Sequence, residues 1–141
     1  MISRSNNQIE TTKNGDTSPN NSPTTSQISD ETDYTATFEI YTNGTKRIFT
    51  NSMYHNLSPD VYIESPNPHI INVKKTGITW SDFFNTLPMK LTKDCLVTGT
   101  KQTFCSSVNQ KLRFILNNIE TPNALDLEII NGDYLLISYG K

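Results

Sequence analysis

Apolar and polar residues alternate in short segments that begin near residue 36 and recur to the end of the chain. Residues 36–42 and 45–50 are two such segments, and Asn43-Gly44 separates them. An Asn-Gly pair between β-rich runs favours a type I′ turn, because both central residues of that turn need positive φ. The pattern predicts a β-hairpin in which Phe38 and Ile40 face the core.

A helical spacing of apolar residues predicts a single helix over residues 79–87. The apolar positions recur every three or four residues, at Trp80, Phe83, Phe84 and Leu87. Thr79 is placed to begin the helix as its N-cap, with Asp82 completing an acidic variant of the capping box. Pro88 ends the helix, because the residue before a proline avoids the α region. An aromatic stripe at this spacing indicates a core face rather than a ligand site.

Four further segments have the composition of strands, and they span residues 61–64, 69–73, 111–116 and 134–139. Asn117-Asn118 forms a turn after the third segment, and Asn131-Gly132-Asp133 forms one before the fourth. The last segment is almost entirely apolar, which is typical of a strand in the centre of a sheet.

The order of elements, a hairpin, a helix and then strands, predicts an α+β domain over residues 35–141. We expect a β-grasp (ubiquitin-like) architecture, in which a mixed sheet packs on one helix and the first and last strands are adjacent and parallel. Residues 1–34 contain 17 Ser, Thr or Asn residues and only five apolar ones. They bury too little apolar surface to offset their ordering entropy. We expect a disordered linker or stalk that ends in a solvated acidic hinge at residues 30–33.

Cys95 and Cys105 are the two cysteines of the chain. If residues 99–101 form the loop of a second hairpin, the two cysteines lie directly opposite each other, at a distance that a disulfide can bridge. A disulfide that closes such a loop stabilises the folded protein by roughly 2–3 kcal/mol on the chain-entropy model. We predict a structural disulfide, with two free buried thiols as the alternative. A redox dithiol usually has a Cys-x-x-Cys spacing, and a zinc site needs four ligands.

Charge and hydropathy restrict the partners and the location. The net charge of −2 does not favour nucleic acid or an anionic membrane surface as a partner. No apolar run is long enough to span a membrane, and no signal-peptide segment follows Met1, which taken alone indicates a cytoplasmic protein. A disulfide and a polar stalk favour an oxidising compartment instead. We expect an extracytoplasmic domain, anchored to the cell envelope through a segment absent from this chain.

Several motifs of the folded part support that location by resemblance. They are Tyr62-Ile63-Glu64-Ser65-Pro66, Thr76-Gly77-Ile78-Thr79-Trp80, Phe83-Phe84, the segment from Leu91 to Cys105, and the segment from Asn131 to Gly140. These motifs are similar to those of small anchored or secreted β-grasp-like envelope proteins of archaeal and uncultured bacterial genomes. The resemblance implies an N-terminal anchor, a polar linker and one domain, but no activity. Such chains often carry histidines where this one has Asn72-Val73-Lys74-Lys75, so it implies no metal site here.

Groups suited to catalysis are sparse. His55 lies in a turn-rich segment and His69 follows a proline, and neither lies near a nucleophile elbow or a phosphate-binding loop. Together with Glu64 they flank one strand, but solvated surface residues are the simpler interpretation. The C-terminal residues 139–141 lack the Gly-Gly end of sulfur-carrier β-grasp proteins. We therefore predict a protein that is not an enzyme and has no catalytic residues, metal or cofactor.

Three Asn-x-Ser/Thr sequons occur, at Asn20, Asn43 and Asn56. They are candidate glycosylation sites if the host glycosylates exported proteins. Chance occurrence in a chain so rich in Asn, Ser and Thr is the simpler explanation, and Asn43 also suits the hairpin turn.

Two functions remain compatible with the sequence. The first is a non-catalytic binding or display module on the cell envelope, whose partner is an envelope protein or a glycan. Its candidate contacts are three tyrosines that we expect to be exposed, Tyr41, Tyr54 and Tyr62. The alternative is a self-assembling surface component, in which an N-terminal segment such as residues 35–40 pairs with the sheet edge of a neighbouring subunit.

Overall fold

The computed structural model of the chain describes residues 30–141. The strands are β1 (Glu31–Thr42), β2 (Thr45–Lys46), β3 (Val61–Tyr62), β4 (Ile70–Lys75), β5 (Lys90–Leu91), β6 (Cys95–Val97), β7 (Thr103–Cys105), β8 (Lys111–Leu116), β9 (Ile119–Glu120) and β10 (Tyr134–Gly140). The helices of the described part are the α-helix α1 (Trp80–Thr86) and two 3-10 helices, Ser52–Tyr54 and Ala124–Asp126. The described residues are thus mostly sheet with one α-helix, and the predicted α+β class is confirmed.

The main sheet has seven strands, in the order β9-β8-β10-β1-β4-β3, with β2 beside β1. β10 runs parallel to β1, with Leu135 opposite Phe38 and Ile137 opposite Ile40. β10 is antiparallel to β8, and the remaining pairs of this sheet are also antiparallel. The first and last strands of the described part are therefore parallel neighbours, and β10 lies centrally, as its apolar sequence predicts.

Aromatic packing joins α1 to one face of this sheet. Trp80, Phe83 and Phe84 are buried, and the ring centroid of Phe38 on β1 lies 5.5 Å from that of Phe83 and 5.6 Å from that of Phe84. Both contacts are edge-to-face, the arrangement that aromatic pairs prefer. The predicted apolar stripe of the helix therefore forms the centre of the core.

The ends of α1 follow the sequence signals closely. The Asp82 amide donates to the Thr79 hydroxyl and the Thr79 amide donates to the Asp82 carboxylate, each over 3.0 Å. Leu87 is the C-cap residue, directly before Pro88. The predicted capping box is confirmed. Within the described residues, no helix is long and apolar enough to cross a membrane.

The hairpin predicted at Asn43-Gly44 forms, but its second strand is shorter than expected. Residues 41–42 pair with Thr45–Lys46, and the turn residues have φ of 50° and 82°. Beyond this point the Phe38 amide donates to the His69 carbonyl oxygen over 3.1 Å. The chain leading into β4 thus takes the edge of β1 that residues 48–50 would have used. The prediction of a strand reaching residue 50 is wrong for this reason.

β1 begins at Glu31 rather than at residue 35. Tyr34 lies opposite Val73 on β4, and the Lys74 ammonium lies 2.7 Å from the Asp33 carboxylate. The expected solvated hinge at residues 30–33 therefore contains the start of β1, because Lys74 at the end of β4 forms an ion pair with Asp33. The rest of the expected linker, residues 1–29, lies outside the described residues.

Candidate functional site

A second sheet of three strands, β5-β6-β7, carries the disulfide. Cys95 lies directly opposite Cys105, and their sulfur atoms are bonded. The Thr98 amide donates to the Gln102 carbonyl oxygen over 2.8 Å and closes the loop of residues 99–101. The predicted register and the predicted disulfide are both confirmed. We call residues 95–105 the disulfide hairpin.

Phe104 docks the disulfide hairpin on the main sheet. Its ring centroid lies 5.4 Å from that of Tyr139 on β10, and the Tyr139 hydroxyl donates to the Cys105 carbonyl oxygen over 2.9 Å. On the other side, the guanidinium carbon of Arg47 lies 5.0 Å from the centroid of the Phe104 ring. The hairpin is therefore held beside the segment that follows β2.

A cleft of about 240 Å³ lies between residues 46–49, which comprise the last residue of β2 and the segment that follows it, and the hairpin loop at residues 98–100. Ile40 and Leu96, each 1% exposed, also line it, together with the half-buried Met89. Drug-sized ligands occupy pockets of about 300–1,000 Å³. The cleft is therefore sized for a compound with one ring or a short chain.

Tyr54 is a buried polar side chain in this cleft, with 9% of its surface exposed. Its ring packs edge-to-face on Phe49, with 5.0 Å between the ring centroids. Its hydroxyl lies beside Gly99 of the hairpin loop, and no described residue makes a hydrogen bond with it. The expectation that Tyr54 is exposed is wrong, because Phe49 and the disulfide hairpin cover its ring.

Arg47 brings a positive charge to the cleft. Its Nε donates to the Thr42 hydroxyl over 2.9 Å, which fixes the guanidinium close to Phe104. Among residues 30–141, no carboxylate lies within ion-pair distance of it. Its terminal N–H groups therefore remain available to a ligand. Lys46 differs, because its ammonium lies 3.0 Å from the Glu39 carboxylate.

Glu39 joins Lys46 to Tyr134 in a polar network across β1, β2 and β10. The Tyr134 hydroxyl donates to the Glu39 carboxylate over 2.9 Å. The hydrogen bonds from Lys46 and Tyr134 lower the pKa of Glu39, whereas burial and the bond to Glu39 raise the pKa of Tyr134 to about 12. The network neutralises Lys46 locally, which leaves Arg47 as the unpaired charge that lines the cleft.

The other two candidate contact tyrosines lie elsewhere. Tyr41 on β1 and Tyr62 on β3 are half-buried, and β4 separates their strands. Neither lines the cleft. The structure therefore does not bring Tyr41, Tyr54 and Tyr62 together on one surface.

The described sequons lie on exposed turns. Asn43 and Asn56 have φ of 50° and 55°, a conformation that asparagine adopts more readily than most residues. The side-chain oxygen of Asn43 accepts a hydrogen bond from Gln110 over 2.8 Å. Asn43 thus serves the turn, as its position in the sequence suggests. The Asn20 sequon lies outside the described residues.

The two histidines occupy separate positions. His55 Nε2 lies 2.8 Å from the Phe49 carbonyl oxygen, and His69 is exposed, as is Glu64. Within the part of the chain that the structure describes, no three His, Cys, Asp or Glu residues are placed to hold a metal ion. The lining of the cleft contains none of these four residue types.

Sequence reasoning missed Arg47 and Gly99 as cleft residues. Arg47 reaches the cleft because the chain leaves β1 directly after it: the Arg47 amide still donates to the Ile40 carbonyl oxygen over 2.7 Å, and the next edge position of β1, at Phe38, is taken by the chain leading into β4. The signal in the sequence was Gly99, a glycine in the loop of the disulfide hairpin, although only the fold shows that it faces Tyr54. No protein-family model, curated protein or solved structure matches this chain.

Proposed function

We propose that this chain is a non-catalytic binding module of the cell envelope, and that the cleft beside the disulfide hairpin is its ligand site. The observation that carries this proposal is the Tyr54 hydroxyl, which lines the cleft without a hydrogen-bond partner among the described residues. The hydroxyl itself is open to solvent in the cleft; within the described residues the fully buried polar side-chain atom without a partner is Trp80 Nε1. A ligand that exchanges this solvent contact for a hydrogen bond to the hydroxyl gains about 0.5–1.5 kcal/mol, and the packed ring of Tyr54 fixes where that bond forms.

The residue types in the cleft support binding rather than catalysis. The cleft lining has no His, Asp, Glu or Cys to activate its hydroxyls, and the hydrogen bond to Glu39 raises the pKa of Lys46, which keeps that amine protonated. Its polar groups are the hydroxyls of Tyr54, Thr98 and Thr100 and the side chains of Arg47 and Lys46. These groups hydrogen-bond and attract charge, and apolar side chains surround them.

We further propose that the fold is of the β-grasp type. Five neighbouring strands of the sheet follow the order β4-β1-β10-β8-β9, in which β9 is an edge strand, and β1 is parallel to β10. The helix α1 follows the antiparallel pair of β1 and β4 along the chain, and it packs on the sheet through Phe83 and Phe84. The shorter strands β2 and β3 and the disulfide hairpin are additions to that plan.

An extracytoplasmic location is part of this proposal. Structural disulfides persist in oxidising compartments and are rare in the cytosol, and Cys95 and Cys105 are bonded. The similarity of the motifs to small envelope proteins supports the same location. Alkylation of free thiols in intact cells should leave both cysteines unmodified; modification of both would contradict the location.

The strand pairing supports the self-assembly alternative less than it supports a single folded chain. Residues 35–37 pair with β4, and residues 37–42 pair with β10 in the same chain. Exchange of residues 35–40 with a neighbouring subunit would first break these pairings. Sedimentation of the full chain over a range of concentrations tests the alternative directly, because strand exchange predicts a concentration-dependent dimer or larger assembly.

A nuclear magnetic resonance screen tests the binding proposal. Single-ring compounds, added to the labelled full chain, should shift the backbone amide resonances of Arg47, Leu96 and Gly99. The Tyr54→Phe variant should bind the same compounds several-fold more weakly, because it lacks the hydroxyl. Tyr62→Phe is the matched control and should bind them like the wild type. Shifts absent from the cleft, or confined to the region of Tyr62, would overturn the proposal.

A further inference from the structure

We propose that the natural ligand of the cleft is a small carboxylic acid with an apolar body of one ring or a short chain. This inference rests on the proposed function, since it assigns a ligand class to the same cleft. Three features carry it: the unpaired guanidinium of Arg47, the free hydroxyl of Tyr54, and the apolar lining between them.

The charge of the cleft selects an anion. Arg47 has no carboxylate partner among the described residues, and no Asp or Glu lines the cleft. Its Nε already donates a hydrogen bond to the Thr42 hydroxyl, so the side chain is held in place before a ligand arrives. The terminal N–H groups of a guanidinium match the two oxygens of a carboxylate. A pre-oriented and unpaired arginine is therefore suited to recognise this group.

The second polar contact comes from Tyr54. Packing against Phe49 and burial of its ring restrict the hydroxyl to one position. An O–H group that donates to a carboxylate forms a stronger hydrogen bond than one that donates to a neutral acceptor. A carboxylate accepts hydrogen bonds both from a hydroxyl and from a guanidinium, whereas an apolar ligand accepts from neither.

The remaining walls of the cleft suit an apolar body. Ile48, Phe49, Met89 and Leu96 line it, and Ile48 leaves 70% of its surface exposed at the rim. A ligand that covered Ile48 would remove apolar surface from water, which favours binding. The volume of about 240 Å³ limits this body to a single ring or a short chain.

Benzoate and benzamide test the ligand class, because they share a ring and nearly the same size but differ in charge. Titration of the labelled full chain should show that benzoate binds in the cleft about tenfold more tightly than benzamide, because hydrogen bonds to a charged acceptor are stronger than those to a neutral one. Raising the salt concentration should reduce the difference.

Variants of Arg47 provide the second arm. Arg47→Gln should remove the preference for benzoate, and Arg47→Lys should retain part of it because the charge is kept. Arg113→Gln is the matched control, since Arg113 is exposed on β8 and does not line the cleft. Amide spectra of each variant show whether it is folded, and the benzoate–benzamide comparison on the wild type does not depend on any variant.

The outcomes separate the two proposals. If both compounds shift the cleft resonances equally, or benzamide binds more tightly, the carboxylate inference is overturned and the cleft remains a binding site. If neither these compounds nor any fragment of the screen shifts them, the binding function of the cleft fails as well. A preference for benzoate that survives Arg47→Gln would also overturn the role assigned to Arg47.

Discussion

Gly99 leaves the space that the hydroxyl of Tyr54 occupies. A Cβ atom built on Gly99 would overlap this hydroxyl, and it would lie 3.0 Å from Cζ of Tyr54 and 3.1 Å from the terminal methyl carbon of Met53. The tip of a tyrosine can often move aside, but Tyr54 is only 9% exposed and its ring is packed on Phe49. The absence of a side chain at Gly99 therefore shapes the cleft.

Gly99→Ala should destabilise the protein by about 1–3 kcal/mol, the usual cost of inserting a methyl group into a well-packed place. Tyr54→Phe removes the overlapping oxygen, so the double variant should lose less stability than the sum of the single changes. Urea unfolding of the wild type and the three variants measures this coupling. Additive effects, or an unchanged stability for Gly99→Ala, would show that Tyr54 moves aside freely.

The features that the sequence predicts well are those set by neighbours along the chain. The Thr79–Asp82 capping box depends on residues three positions apart, and the opposition of Cys95 and Cys105 follows from the length of one hairpin loop. The turn at Asn117-Asn118 is another example, with φ of 53° and 71°. In each case local backbone geometry decides the outcome, and a single residue spacing is enough to predict it.

The features that the sequence does not predict depend on distant segments. β4 and the preceding His69 take the edge of β1 up to Phe38, so the first hairpin ends early and the Arg47 guanidinium lies over Phe104 of the disulfide hairpin. Tyr54 is buried for a similar reason, because residues far along the chain cover it. The cleft is lined by residues from β1, from the segment that follows β2 and from the disulfide hairpin. A residue pattern within any one of these segments cannot show that they meet.

Removal of the capping box should weaken α1 measurably. Thr79→Ala deletes the hydroxyl that accepts from the Asp82 amide, and loss of such an N-cap costs about 1 kcal/mol. Asp82→Ala deletes the reciprocal bond. Because the two hydrogen bonds join the same pair of residues, the double variant should lose less free energy of unfolding than the two single variants together. Urea unfolding measures these losses. Ser81→Ala on the same turn is a control that leaves both bonds intact.

Breaking the disulfide should lower both stability and binding. Replacement of Cys95 and Cys105 by alanine reopens a loop of about ten residues, which costs roughly 2–3 kcal/mol on the chain-entropy model. Because the hairpin supplies residues 98–100 of the cleft, the affinity for benzoate should fall with it. Dithiothreitol should reproduce the effect on the wild type and leave the alanine variant unchanged. A stable reduced protein that binds benzoate normally would show that the hairpin keeps its place without the bond.

The bond from Tyr134 to Glu39 should make part of the stability depend on alkaline pH. The pKa of Tyr134 is raised from 10.0 to about 12 in the folded protein, so the protonated hydroxyl is favoured by folding. This contribution is complete below pH 10, the unfolded value, and is lost as pH rises toward 12. Because the Tyr134 side chain is half-exposed, we expect it to contribute about 1–2 kcal/mol to the free energy of unfolding. This is less than the full pKa shift would give, because solvent screens the interaction.

Tyr134→Phe isolates that contribution. Urea unfolding should find the variant less stable than the wild type near neutral pH, and the difference between the two proteins should narrow between pH 10 and 12. Tyr62→Phe is the matched control, because no described residue hydrogen-bonds to its hydroxyl. A difference between wild type and Tyr134→Phe that stays constant across this range would show that the bond to Glu39 does not couple folding to the ionisation of Tyr134.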